Sequence, residues 1–144
     1  MRLLFITNFY PPVSRGGYEQ WCQEVALGLR DKTHDVRILT SRYQVNGALP
    51  SDPDWVMRDL YLEMEFASLR NALQFFTSRR SRQKENLKRL QDFVQQFSPD
   101  VILIWGMWNF HRSLPALAER LMPGRVVYYM GDYWPTLPDQ FENY

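Results

Sequence analysis

Gly16 and Gly17, followed by Tyr18 and Glu19, are the residues of this chain whose types and spacing point first to chemistry. They stand between an apolar run, Leu3-Leu4-Phe5-Ile6, and a strongly periodic segment that starts at Tyr18. A strand, a glycine-bearing loop and a helix start, in that order, build an anion site. Backbone without a Cβ admits a ligand closely, and the N–H groups of the first helical turn point at it. The plain alternative is a tight turn with no ligand. The segment is not G-x-G-x-x-G and no Walker lysine follows it, so neither nucleotide fingerprint applies.

The elements that must position this loop follow from the pattern of apolar residues. Arg2 to Thr7 reads as a buried strand, and Pro11-Pro12 holds the following loop out of helical conformation. From Gly17 to about Arg30 the apolar positions Tyr18, Trp21, Cys22, Val25, Ala26 and Leu29 predict a helix with one face on a sheet, Trp21 and Cys22 inward. Val36 to Thr40 reads as a second strand, which makes the first forty residues a parallel βαβ unit. Trp55 to Leu62 is a third strand. From Ala67 some thirty residues read as helical, divided into two helices at Thr77-Ser78. Val101 to Trp105 is the continuous apolar run expected of a central parallel strand buried on both faces. A helix over His111–Leu121 and a fifth strand over Arg125–Met130 complete a doubly wound α/β domain, a mainly parallel Rossmann-like sheet with helices on both faces.

Composition bounds the function. The length, 144 residues, is that of about one domain. A hydrophobic share of 45% and a charged share of 23% are those of a globular protein, and a net charge of +1 argues against general nucleic-acid binding. The single cysteine, Cys22, forms no internal disulfide and no zinc spacing, which fits a reducing, cytoplasmic setting. No apolar run has the length of a signal peptide core or a membrane span.

With the elements placed, the chain resembles the N-terminal domain of a glycosyltransferase family 4 enzyme of the GT-B fold. The resemblance rests on the strand Leu3–Thr7, the loop Asn8-Phe9-Tyr10-Pro11-Pro12, Gly16-Gly17 with Glu19, and His34-Asp35-Val36-Arg37-Ile38-Leu39-Thr40. Ser98-Pro99-Asp100-Val101-Ile102 and Arg125 to Trp134 extend it more loosely. It implies one half of a two-domain enzyme: an acceptor-side domain over 1–144, with the nucleotide-sugar-binding domain absent and the chain a truncated fragment, inactive alone. It implies retention of anomeric configuration, no metal, and no cofactor beyond a nucleotide sugar as donor substrate. The acceptor would be a glycan or a lipid-linked sugar. Where many relatives carry a histidine after the fourth and fifth strands, this chain has Trp105-Gly106 and Gly131-Asp132, so no catalytic residue is carried over.

By that resemblance Gly16 and Gly17 are expected to meet the donor phosphates. Glu19 is expected as a first-turn carboxylate favoured by the helix dipole, or as a partner of substrate hydroxyls. Asp132, Trp108, Trp134, Tyr10 and His111 are the acceptor-side candidates, since carboxylates hydrogen-bond sugar hydroxyls and rings cover pyranose faces. Trp105 is expected in the core, and His111 has a helix-capping alternative. Arg79, Arg80, Arg82, Lys84, Lys88 and Arg89 face only Glu85 within their segment. They read either as a solvated helix face or as a peripheral contact to anionic lipid at the inner face of the membrane. The rival readings are a non-catalytic, stand-alone α/β module that binds a small molecule or partner, and a flavodoxin-like domain.

Overall fold

In a computed structural model of the chain, residues 1–43, 48–63 and 69–131 are described. Strands form where apolar residues run together: β1 (Arg2–Thr7), β2 (Asp35–Ser41), β3 (Val56–Leu60), β4 (Val101–Gly106) and β5 (Val126–Tyr128). All pair in parallel within one sheet ordered β3-β2-β1-β4-β5. Parallel neighbours cannot be joined by hairpins, and helices α1 (Gly17–Asp31), α2 (Leu69–Phe97) and α3 (Ser113–Leu121) supply three of the four connections.

Alternation along the strands divides the core into two layers. Leu4, Ile6, Ile102 and Ile104 meet Leu90 and Val94 of α2 and Leu114 and Ala118 of α3 on one face. Leu3, Phe5, Val36 and Ile38 meet Cys22 and Ala26 of α1 on the other. The domain is therefore the doubly wound, parallel α/β sheet that the strand–helix alternation predicts.

Several boundaries differ from expectation. Trp21 and Val25 do not face the sheet but are 54% and 40% exposed. The buried stripe is centred on Cys22 and Ala26, and the residue before each lies about 100° round the helix. Helix α2 runs unbroken through Thr77-Ser78, because neither residue removes a backbone donor as proline would. At about 43 Å, its 29 residues span the domain. Val101 and Leu103 are only half-buried, so on its α1-side face β4 is fully covered only towards its carboxyl end, at Trp105. Helix α1 ends in a Schellman arrangement, with Thr33 at φ 66°, His34 N–H on the Leu29 carbonyl and Thr33 N–H on that of Arg30.

Candidate functional site

Strand β1 lies between β2 and β4. The chain leaves β1 through α1 on one face and leaves β4 through α3 on the other, so the two exit loops part. A crevice at such a point, beyond the carboxyl ends of the strands, is where open α/β sheets bind ligands. Here it is a cleft of about 360 Å³. Asn8 and Phe9 line it from the β1 exit, Arg15, Gly16, Tyr18 and Glu19 from the start of α1, and Gly106, Met107 and Trp108 from the β4 exit.

The floor is tied by Tyr18. Its hydroxyl donates to the Trp105 carbonyl at 2.6 Å, with the Tyr129 carbonyl 2.9 Å away as a second acceptor, and it accepts the Gly131 N–H at 3.3 Å. In return Trp105 Nε1 donates to the Tyr18 carbonyl at 3.0 Å. The Trp105 and Tyr129 rings stack with centroids 4.0 Å apart, nearly parallel at 6°. This packing explains two glycines. A Cβ at Gly106 would stand 2.6 Å from Asn8 Oδ1, and one at Gly131 would run into the Tyr18 ring.

The glycine pair is different. Neither Gly16 nor Gly17 has positive φ, and a Cβ on either would meet nothing within 4 Å. Nothing in the protein's own packing requires glycine there. The buried carboxylate of Glu19 accepts the Gly16 N–H at 3.1 Å and the Arg15 N–H at 3.2 Å, one half of a capping box. Glu19 is thus the first-turn carboxylate expected from the sequence, and it already engages the Gly16 amide. The Gly17 N–H opens the helix, in the turn whose amides lack intrahelical carbonyls.

The remaining candidates scatter. Trp108 lines the cleft. Tyr10 is 2% exposed on the α1 side of the sheet, packed edge-on against Trp55 and outside the cleft. Burial pushes its hydroxyl well above the usual phenol range. His111 sits at the start of α3, where its Nδ1 accepts the Ser113 N–H at 3.1 Å and lies 2.9 Å from Gln83 Nε2. That is the capping alternative, and it places His111 away from the cleft. Trp105 is buried in the α1-side core as expected. Asp132 and Trp134 lie outside the described residues.

A scan of protein-family models and a search of curated proteins both return no match to this chain.

Two arginines matter that the sequence pattern did not single out. Arg15 lies across the rings at the cleft mouth. Arg58 of β3, its side chain 3% exposed, forms a two-pronged pair with Asp52 at 2.6 and 2.9 Å and donates to the Pro11 carbonyl at 2.8 Å. A basic residue at an inward strand position is the signal that marks it, because an arginine is rarely fully buried unless paired. Among the described residues no group of acidic, histidine or cysteine side chains could hold a metal ion.

Proposed function

We propose that this chain is the N-terminal, acceptor-side half of a family 4 glycosyltransferase of the GT-B fold, which moves a sugar from a nucleotide-sugar donor to a glycan or lipid-linked acceptor. One observation carries the reading. Gly16 lines the switch-point cleft, and it and its neighbour Gly17 have a conformation and a space that tolerate side chains. A requirement for glycine would then come from a ligand close to the backbone. The residues on which the resemblance rests, Asn8, Phe9, Gly16 and Glu19, line that same cleft.

In this reading the domain acts by position and by charge. The Gly17 N–H and the α1 N-terminus face the leaving diphosphate, which a helix dipole stabilises as its charge develops. Trp108 offers a ring to the apolar face of a sugar. The donor's remaining contacts come from a second domain.

The test is an assay of the full-length protein with a panel of nucleotide sugars and oligosaccharide acceptors, in the presence of EDTA. Release of nucleoside diphosphate with a retained anomeric product is the expected result. Tight ligand binding with no turnover on any donor would instead support the stand-alone binding module.

The same proposal includes a peripheral contact with anionic membranes, and α2 refines which residues would make it. Arg79 is paired with Glu63 at 3.1 Å, Arg82 reaches the Leu62 carbonyl, and Arg89 pairs with Glu85 and Asp59. Arg80, Lys84 and Lys88 are exposed at four-residue spacing, one stripe along the helix. Changing these three to Gln should abolish sedimentation with vesicles containing anionic phospholipid, and raised salt should weaken it in the wild type. Sedimentation unaffected by the triple change would remove α2 from the contact.

A further inference from the structure

Arg15 is the arginine that lines the cleft. Arg37, Arg58, Arg79 and Arg89 each pair with a carboxylate. Arg15 has no carboxylate partner among the described residues, yet its guanidinium is held in place. Its central carbon lies 5.1 Å from the ring centre of Phe9, 5.5 Å from that of Tyr43 and 5.8 Å from that of Trp108, all within cation–π range. Its Nη2 donates to Tyr43 Oη at 3.4 Å. The three rings belong to the exit loops of three different strands, β1, β2 and β4, and Phe9 meets Tyr43 edge-on at 5.4 Å. The guanidinium therefore bridges the rim of the cleft while remaining exposed.

A stacked guanidinium keeps its N–H edge free to make two parallel bonds to an oxyanion, which an ammonium cannot do. Holding the side chain on rings before a ligand arrives reduces the ordering that binding requires. Charge makes the group decisive. The ionisable acid that lines the cleft is Glu19, so without Arg15 the lining would be net negative. We propose that Arg15 is the oxyanion-recognition residue of the cleft, presented by the Phe9–Tyr43–Trp108 rings to a phosphate group of the ligand. The inference rests on the reading above for the ligand's identity. It adds a side chain that decides whether the cleft accepts an anion at all.

The experiment is a titration of the 144-residue chain with inorganic pyrophosphate, followed by amide and arginine Nε–H NMR shifts. Parallel titrations use Arg15→Gln, Arg15→Lys and, as a control for diffuse charge, Lys32→Gln, an exposed residue at the opposite end of α1. Sodium glucuronate is the second ligand, which separates a carboxylate source from a phosphate source. Arg15→Gln should weaken pyrophosphate at least about tenfold, Arg15→Lys should fall between, and Lys32→Gln should match the wild type. Pyrophosphate affinity within twofold of wild type in Arg15→Gln, or an equal loss in Lys32→Gln, overturns the proposal. So does a preference for glucuronate over pyrophosphate. Loss in Arg15→Gln without any shift of the Gly17 amide in the wild type would uphold Arg15 while counting against the glycine-pair reading. A shifted Gly17 amide with affinity indifferent to Arg15 would do the opposite.

Discussion

Replacing Arg58 with alanine should destabilise the domain by about 3–5 kcal/mol, the range found when one partner of a buried ion pair is removed. The truncation strands more than one group. Asp52, with its side chain 12% exposed, loses both of its short bonds, to Nε at 2.6 Å and Nη2 at 2.9 Å. The Pro11 and Tyr10 carbonyls, at 2.8 and 3.1 Å from Nη2, lose a donor. These carbonyls belong to the loop that leads from β1 towards α1, so Arg58 ties that loop to the sheet. Urea unfolding should show a lower midpoint with an unchanged slope. The double variant Arg58→Met with Asp52→Leu should recover much of the loss, since an apolar pair of similar volume leaves no stranded charge. A loss below about 1 kcal/mol in Arg58→Ala would show that the pair is dispensable and that the loop is held by its apolar contacts alone.

On the proposed function, Gly17→Val should lower sugar transfer about 10²–10³-fold, because its side chain would keep a phosphate from the backbone N–H groups. The effect is on the scale of losing a donor at a developing charge. The thermal midpoint should stay near that of the wild type. Gly17 has ordinary backbone angles and open space beside it, so the protein alone has no reason to resist a side chain there. Ile104→Ala makes the reverse case. Ile104 is fully buried between β4 and the α2–α3 layer, and its truncation should cost roughly 2–5 kcal/mol with little change in activity of the molecules still folded. Measuring unfolding beside transfer separates the two. If Gly17→Val transfers sugar at the wild-type rate, the pair is only a turn and the donor-phosphate assignment fails.

The sequence by itself determined the elements and their order. Runs such as Leu3–Ile6 and Val101–Trp105 are apolar over consecutive residues, and a stretch buried on both faces of a parallel sheet has that pattern wherever it occurs. The i, i+3, i+4 spacing of Tyr18, Cys22, Ala26 and Leu29 marks α1 from within fifteen residues. The place of Gly16-Gly17 between a strand and a helix is equally local, so the loop at the cleft was legible before any coordinates. Glu19 was legible for the same reason, because a carboxylate three residues past the N-cap answers to its own helix.

What only the tertiary structure decided depends on residues far apart in the chain. Tyr18 joins Trp105 and Tyr129, 87 and 111 positions away, because β1, β4 and β5 end side by side. A side chain at Gly131 would run into the Tyr18 ring and one at Gly106 into Asn8 Oδ1, whereas Gly16 and Gly17 are not required by packing, and no local pattern distinguishes the two pairs. Tyr10 and His111, both plausible in a sugar site by residue type, are held elsewhere, Tyr10 by packing in the α1-side core against Trp55 and His111 by its bonds at the start of α3. Arg15 acquires its setting from rings on three loops that meet only when β2, β1 and β4 lie adjacent. Periodicity records which side of its own element a residue occupies. Which elements then stand opposite one another follows from the order of strands in the sheet, and that order was set by burying both faces at once.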